Sequence, residues 1–427
     1  MKALLVTTGS QGDVRPFTAL AVRLRQEGHT AVLAAPASYG HLAAAHGVPF
    51  VPLNLDMSQV GAAITGRHGL RHMLAFCRAM GQRAAAILPD LAAAAGGAGR
   101  AGPDVIVHHP VLPLGQHLAE LRRVPAVVAQ PLPALVPTTE FASAAWPIRL
   151  PPSLNWASYG PATLLAGAWC RRDVDRWRRV ELGLPPRPGR HDPLVSWDSA
   201  PVTALHAYSA HVVPRPADWP ASAHVTGYWT LPAEPAWSPP HRLAKFTETD
   251  GGGPVVYVGF GSMPGPDPER LAAALITAAD RTGVRAVVAS LSPELRRLLP
   301  PSRFHLIRHA PHSWLFPRMR AIVHHGGAGT AAAAILAGRP QVIWPFGVDQ
   351  AFWARRLARL GVARPARPVT ALTGPRLADA LGAALGDGHM AGRAAQLSAS
   401  VQTEDGTGRA IALIEAALRG SRLAVNA

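Results

Sequence analysis

The chain has 427 residues, 48% of them apolar, and a formal charge of +16. This length predicts two domains, with three as the alternative, and the apolar share allows full cores. No run is long and apolar enough to span a bilayer, and two cysteines exclude a disulfide framework. Cys77 and Cys170 therefore read as buried free thiols in a reducing cytoplasm. The charge suits nucleic acid, an anionic membrane or an anionic substrate. No nucleic-acid motif accompanies it, and the arginines are spread along the chain.

Met1 to Thr8 is a strand-sized apolar run that ends in a turn, too short for a secretory signal. In the first half, Ala3–Thr8, Thr30–Ala35, Val105–His108 and Ala126–Ala129 read as strands. Helical stretches lie between them at Pro16–Glu27, Ala37–His46, 70–95 and Gly115–Leu121. Residues 130–165 are proline-rich and read as loops. The densest basic group follows: Arg171, Arg172, Arg176, Arg178, Arg179, Arg187 and Arg190, near Trp169 and Trp177. Peripheral membrane contact and a solvated basic face both fit it, the second being commoner. Asp173-Val174-Asp175, the one Asp-x-Asp here, reads as a salt-bridged surface rather than a metal site.

The stretch 229–254 is dense in proline and glycine and reads as a linker. A second series then begins: strands at Val255–Val258, Arg285–Ser290, Phe304–Ile307, Ala321–His324 and Gln341–Trp344, with helices between. Ser292-Pro293 opens one helix as N-cap and first-turn proline. A last amphipathic run, Thr407–Leu418, reads as a helix. Strands alternating with helices imply an α/β fold whose parallel sheets are covered on both faces.

The most informative stretch is 323–350, VHHGGAGTAAAAILAGRPQVIWPFGVDQ. It reads as strand, glycine turn, helix, strand and then an acid-amide pair. Gly326, Gly327 and Gly329 let the backbone turn sharply and approach a ligand. The alanine run after Thr330 starts a helix, whose N-terminal N–H groups and dipole favour a phosphate. His325 stands at its mouth. Asp349 and Gln350, expected on the loop after the second strand, lie at the ligand-facing edge of a parallel sheet. Glycines alone fit an ordinary tight turn equally well. The additional His-His and Asp-Gln pairs favour a ligand, because structure does not demand polar groups at that edge.

This stretch resembles the nucleotide-binding signature of family 1 glycosyltransferases of the GT-B fold. The resemblance extends to Pro311-His312-Ser313-Trp314-Leu315-Phe316-Pro317, to Val255–Met263, to Val225–Trp229 and to Gly9-Ser10-Gln11-Gly12-Asp13-Val14-Arg15-Pro16. The chain is similar to bacterial sterol-glucosyltransferase-like enzymes and to glycosyltransferases that decorate antibiotics such as the vancomycin group. The resemblance implies two Rossmann-like parallel-sheet domains facing a cleft, with a C-terminal helix crossing back to the N-terminal domain. It divides the chain into an acceptor domain at 1–230, a linker at 231–254, a nucleotide-sugar domain at 255–405 and a crossing helix and tail at 406–427. It implies an inverting hexosyltransferase that uses UDP- or dTDP-sugar, such as UDP-glucose, on a lipophilic acceptor, with no metal and no further cofactor.

Such chemistry needs a stabilised leaving diphosphate, a base for the acceptor hydroxyl and a held sugar. The diphosphate falls to His325, Gly327, Ala328, Gly329 and Thr330, with Ser262 in the turn after Val255–Val258. Asp349 and Gln350 match the pair that bonds sugar hydroxyls. His309 and Trp314 fall near the nucleobase segment, though core packing fits Trp314 as well. Asp13 matches the base of antibiotic glycosyltransferases; read without the resemblance, it is a helix N-cap. His108 and His109 are rival bases and, with Ser10, candidates for shaping an acceptor pocket, whose loops are expected at 54–80 and 130–165. Thr330-Ala331 stands where the family often has Thr-Thr, and Pro345-Phe346-Gly347-Val348-Asp349-Gln350 departs from its P-F-F-G-D-Q.

Three rival readings stand. Gly259-Phe260-Gly261-Ser262-Met263-Pro264-Gly265 evokes a dinucleotide oxidoreductase, but its third glycine comes late and Pro264 interrupts the helix start. A non-catalytic nucleotide-sugar-binding partner would not need Asp13, His325, Asp349 and Gln350 together. A transferase acting on a membrane lipid intermediate suits the basic charge.

Overall fold

The computed structural model describes the chain apart from residues 65–68, 97–101, 112–113, 147–149, 188–191, 249–251, 262–266, 291 and 426–427. Ser262 and the turn to Gly265, together with the side chains of Cys77, Cys170 and Trp169 and residue Arg190, lie outside the description. The chain forms two compact units, Met1–Leu231 with Glu404–Ala427, and Pro232–Thr403.

The first unit is built on β1 (Lys2–Val6), β2 (Thr30–Pro36), β3 (Phe50–Leu53), β4 (Val105–His108), β5 (Ala126–Gln130), β6 (Thr203–His206) and β7 (Ala223–Val225). They form one parallel sheet of order β3-β2-β1-β4-β5-β6-β7. Alternate residues serve opposite faces. Ala3, Leu5, Val107 and Ala129 pack with Phe17, Leu20 and Leu24 of the first helix, Gln11–Gln26, and with Ile411 and Ile414 of the last, Gly406–Val425. Leu4, Val6 and Ile106 pack with Ile87 and Leu91 of the helix Gly69–Ala94 and with Val174 and Trp177 of Gly160–Val180. Truncating a fully buried leucine such as Leu20 costs about 2–5 kcal/mol.

The second unit carries β8 (Val255–Gly259), β9 (Arg285–Ala289), β10 (Phe304–Ile307), β11 (Ile322–His324) and β12 (Gln341–Ile343), parallel and ordered β10-β9-β8-β11-β12. The sequence-based strands of this half sit within a residue or so of these bounds, because short apolar runs ending at glycine or proline suit strands buried on both faces. Within the proline-rich stretch before β8, His241–Thr247 is helical, and Leu243 is buried in this unit's core beside Trp237 and Phe246.

Three strands were not anticipated. β3 is an edge strand holding Pro52, which reads as a breaker but is tolerated where a strand faces outward. β6 and β7 are four and three residues long, too short for periodicity. The basic group on Gly160–Val180 also needs correction. Arg178 is not solvated: its side chain is 1% exposed. It grips Glu120 through Nη1 and Nη2 at 2.7 and 2.9 Å and donates from Nε to the Pro185 carbonyl at 3.0 Å.

Candidate active site

Each sheet reverses its order once. The first runs outward from β1 through β2 to β3, then crosses to β4 on the other side of β1. The second runs from β8 through β9 to β10, then crosses to β11. In open α/β sheets the crevice beyond the carboxyl ends at such a switch point is the natural ligand site. Asp13 and His109 follow the strands at the first switch point and His325 one at the second, whereas Asp349 and Gln350 follow the edge strand β12 and His309 and Trp314 follow β10 at the opposite edge.

In the first unit Val6 is in register with His108, so the connections after β1 and β4 begin side by side. Gly9 takes φ +115°, and a Cβ there would strike the Asp13 carboxylate. Ser10 donates to Asp13 Oδ2 from its backbone N–H at 2.8 Å and from Oγ at 3.1 Å, while Ser10 Oγ accepts the Gly12 N–H at 3.2 Å. This is a reciprocal capping box: Ser10 is the N-cap and Asp13 the third helical residue. The helix thus begins at Gln11 rather than Pro16, and Asp13 is not its N-cap.

Asp13 Oδ1 lies 3.7 Å from His109 Nε2. His109 Nδ1 accepts the Val111 N–H at 3.3 Å, which leaves the ring proton on Nε2, toward Asp13. Burial raises the Asp13 pKa to about 6, with the Ser10 backbone and hydroxyl pulling it back. Burial lowers that of His109 to about 3. Near neutrality the pair is a carboxylate facing a neutral imidazole. His108 is fully buried under Gly115, and burial lowers its pKa to about 4, so it belongs to the sheet interior. Tyr39, which no sequence signal marked, donates from its hydroxyl to the Gly9 carbonyl at 3.3 Å and steadies the turn.

In the second unit the helix Ala328–Leu336 follows β11 directly, with Gly327 as N-cap and, among the described residues, no side chain capping it. Its first backbone bond runs from the Ala331 N–H to the Gly327 carbonyl at 2.9 Å. The N–H groups of Ala328, Gly329 and Thr330 precede that bond and point out of the helix end. His325 fits against Gly261 and Gly327, both without a Cβ that would collide with the ring. Burial lowers its pKa to about 4, partly offset by the Gly259 backbone, so it is a neutral donor near neutrality.

The neighbouring His324 has a different role, and the expectation that structure does not need this His-His pair is corrected. Fully buried, it bonds Gln341 Oε1 through Nε2 at 2.9 Å and accepts the Gly326 N–H on Nδ1 at 3.0 Å. It locks the turn in which Gly326 takes φ +92°.

Asp349 and Gln350 are in the first turn of the helix Val348–Arg359 rather than on a loop. Gln350 is 8% exposed, and its Oε1 accepts the Phe346 and Gly347 N–H groups at 2.8 and 3.4 Å. Its side chain therefore shapes the turn, leaving the amide nitrogen as its donor. Asp349 is half-buried beside it. His309 is exposed just past β10. Trp314 is half-buried, 5.4 Å from the Trp237 ring, with the Arg318 guanidinium 4.3 Å above it. Asp173 is exposed and Asp175 lies 3.8 Å from Arg171. Among the described residues no three His, Cys, Asp or Glu side chains gather as a metal site, and no helix is long and apolar enough to cross a membrane.

Residues 3–139 match the Glycosyltransferase family 28 N-terminal domain, and residues 266–410 match the Erythromycin biosynthesis protein CIII-like C-terminal domain. The sterol 3-beta-glucosyltransferase of Emericella nidulans is 32% identical over 97% of this chain, which spans 30% of that protein's length. That of Arabidopsis thaliana is 30% identical over 96% of this chain, which spans 64% of its length. In three dimensions the kitacinnamycin glycosyltransferase superposes with a TM-score of 0.71 at 22% identity, covering 98% of this chain and 99% of that one. The Streptomyces sp. SF2575 glycosyltransferase SsfS6, complexed with thymidine diphosphate, gives 0.64 at 20%, covering 97% and 99%. With two parallel-sheet α/β domains and these matches at both ends, the chain belongs to the GT-B glycosyltransferases.

Proposed function

We propose that the chain transfers a hexose from a UDP- or dTDP-sugar to a hydroxyl of a lipophilic acceptor, with inversion, in the cytoplasm, and without a metal or a further cofactor. The observation that carries this reading is the His325 turn. A helix end that no described side chain caps, reached through glycine at a switch point, supports a diphosphate at that place. As the bond between the anomeric carbon and the diphosphate oxygen breaks, negative charge grows on that oxygen. The N–H groups of Ala328, Gly329 and Thr330, with His325 and Ser262, stabilise it. Asp13 takes the acceptor hydroxyl proton as that oxygen forms the new bond to the anomeric carbon. Asp349 and the Gln350 amide hold the sugar hydroxyls, and the nucleobase lies along His309–Trp314. The names of the relatives favour a sterol or an antibiotic-type aglycone as acceptor, and the thymidine diphosphate of SsfS6 favours dTDP beside UDP.

The test is incubation of purified protein with UDP- and dTDP-sugars and a panel of sterols and polyketide aglycones, read by mass spectrometry. A product heavier by one hexosyl residue is expected. Nucleotide binding without transfer or donor hydrolysis would replace this reading with a non-catalytic nucleotide-sugar binder.

A further inference from the structure

A small cavity in the second unit lies at the outer edge of its sheet. Trp344, at the exit of β12, lines it with Val342 and Pro365, and three cations complete the wall: Arg364, Arg367 and Arg376. Backbone pairing brings them together. The Arg364 N–H donates to the Gln341 carbonyl at 3.0 Å, so the segment 364–367 continues alongside β12. Arg376 comes from the first turn of the helix Gly374–Gly386, which packs on the same strand.

Among the described residues no carboxylate pairs with these charges. Among the described residues Arg364 and Arg367 make no side-chain ion pair or hydrogen bond, and Arg376 only donates from Nη1 to the Ala371 carbonyl at 3.1 Å. Trp344 is 2% exposed, yet its indole N–H has no acceptor among the described residues. A cation in the first turn of a helix also opposes the helix dipole. An anion in the hollow would offset the mutual repulsion of the three guanidinium groups, of which Arg367 and Arg376 reach solvent, and would offer an acceptor to the buried indole.

We propose that this cavity is a binding site for a phosphate group, made of residues other than those of the His325 cradle and independent of the function proposed above. Guanidinium forks match phosphate oxygens in pairs, and the indole adds a donor. The phosphate is either free, as in a phosphorylated metabolite, or the headgroup of an anionic lipid.

Inorganic phosphate is titrated by calorimetry into the full chain carrying His325→Ala, which weakens binding at the other cradle. The same titration is made with Arg364→Gln and Arg367→Gln added. The two arginine changes are expected to weaken binding at least about tenfold. Arg367→Gln alone, at an exposed position, is expected to weaken it in the same direction without disturbing the half-buried Arg364. Cosedimentation with phosphatidylglycerol-containing vesicles, against phosphatidylcholine alone, separates the sources. Vesicle binding lost with the arginines, without a response to free phosphate, assigns the site to a lipid headgroup. Phosphate and vesicle binding that are both absent, or both unchanged by the arginine substitutions, overturn the proposal.

Discussion

His109 Nε2 faces Asp13 Oδ1 at 3.7 Å across the line where the first sheet reverses its order, with the imidazole proton on the facing nitrogen. Ser10 holds the other carboxylate oxygen at 2.8 Å. One oxygen of Asp13 therefore anchors the helix while the second lies toward the histidine. A single carboxylate serves both as cap partner and as candidate base.

Replacement of Asp13 separates the two roles. Asp13→Asn keeps an oxygen for the Ser10 N–H but cannot take a proton, so transfer should fall by roughly 10²–10⁴-fold. Asp13→Ala should lose the rate and also about 1 kcal/mol of stability through the capping box. Transfer rate and melting temperature measured together decide the matter, and near-normal turnover by the Asn variant would move the base elsewhere.

The raised pKa of Asp13 gives two pH effects of defined sign. Its carboxylate forms as pH rises through about 6, so kcat/KM should climb through that value and then level. His109, lowered to about 3, adds no second step above it. For stability, the folded protein holds the Asp13 proton more tightly than the unfolded chain, so stability contributed by protonated Asp13 falls as pH rises from 3.8 to about 6. Asp13→Asn, freed of that buried charge, should melt higher than wild type above this window and lose the advantage below it. A pH series of thermal melts on both proteins checks the sign.

In the proposed mechanism His325→Ala removes a donor to the diphosphate. Nucleotide affinity should weaken by about 1.5–3 kcal/mol, the cost of a hydrogen bond to a charged group. Calorimetric titration with UDP and dTDP reads it, and an unchanged Kd for the nucleotide that binds wild type would remove His325 from the site.

His324→Phe tests the adjacent, buried histidine. It leaves the Gly326 N–H and Gln341 Oε1 without their partner, at about 1–3 kcal/mol of stability. Denaturant unfolding should show that loss, whereas His325→Ala should unfold near wild type.

Turnover should persist in EDTA, because the helix end and His325 carry the leaving group's charge in this mechanism. Activity abolished by chelation and restored by magnesium or manganese would refute it.

Much of both units was legible from local pattern. Phe304–Ile307 and Val105–His108 were placed to the residue, because compact apolar runs bounded by polar or turn residues leave little alternative. The helix 70–95 was legible for the same reason of length, and the structure has Gly69–Ala94. What was not legible depends on distant partners. Nothing near Arg178 marks it for burial; its partner Glu120 is 58 residues away. His324 and His325 are indistinguishable in a string of letters, and only Gln341, 17 residues on, makes the first structural.

The sequence by itself determined the alternating α/β pattern, the glycine turn before an alanine helix and the presence of Asp13, His325, Asp349 and Gln350, since propensity, backbone freedom and side-chain chemistry are local properties. Only the tertiary structure decided which polar groups face each other. Strand order, set by burial on both faces, brings the β1 and β4 connections together, and with them Asp13 and His109. The same packing turns Gln350 back onto Phe346 and Gly347, because buried backbone donors must find acceptors wherever the fold supplies them.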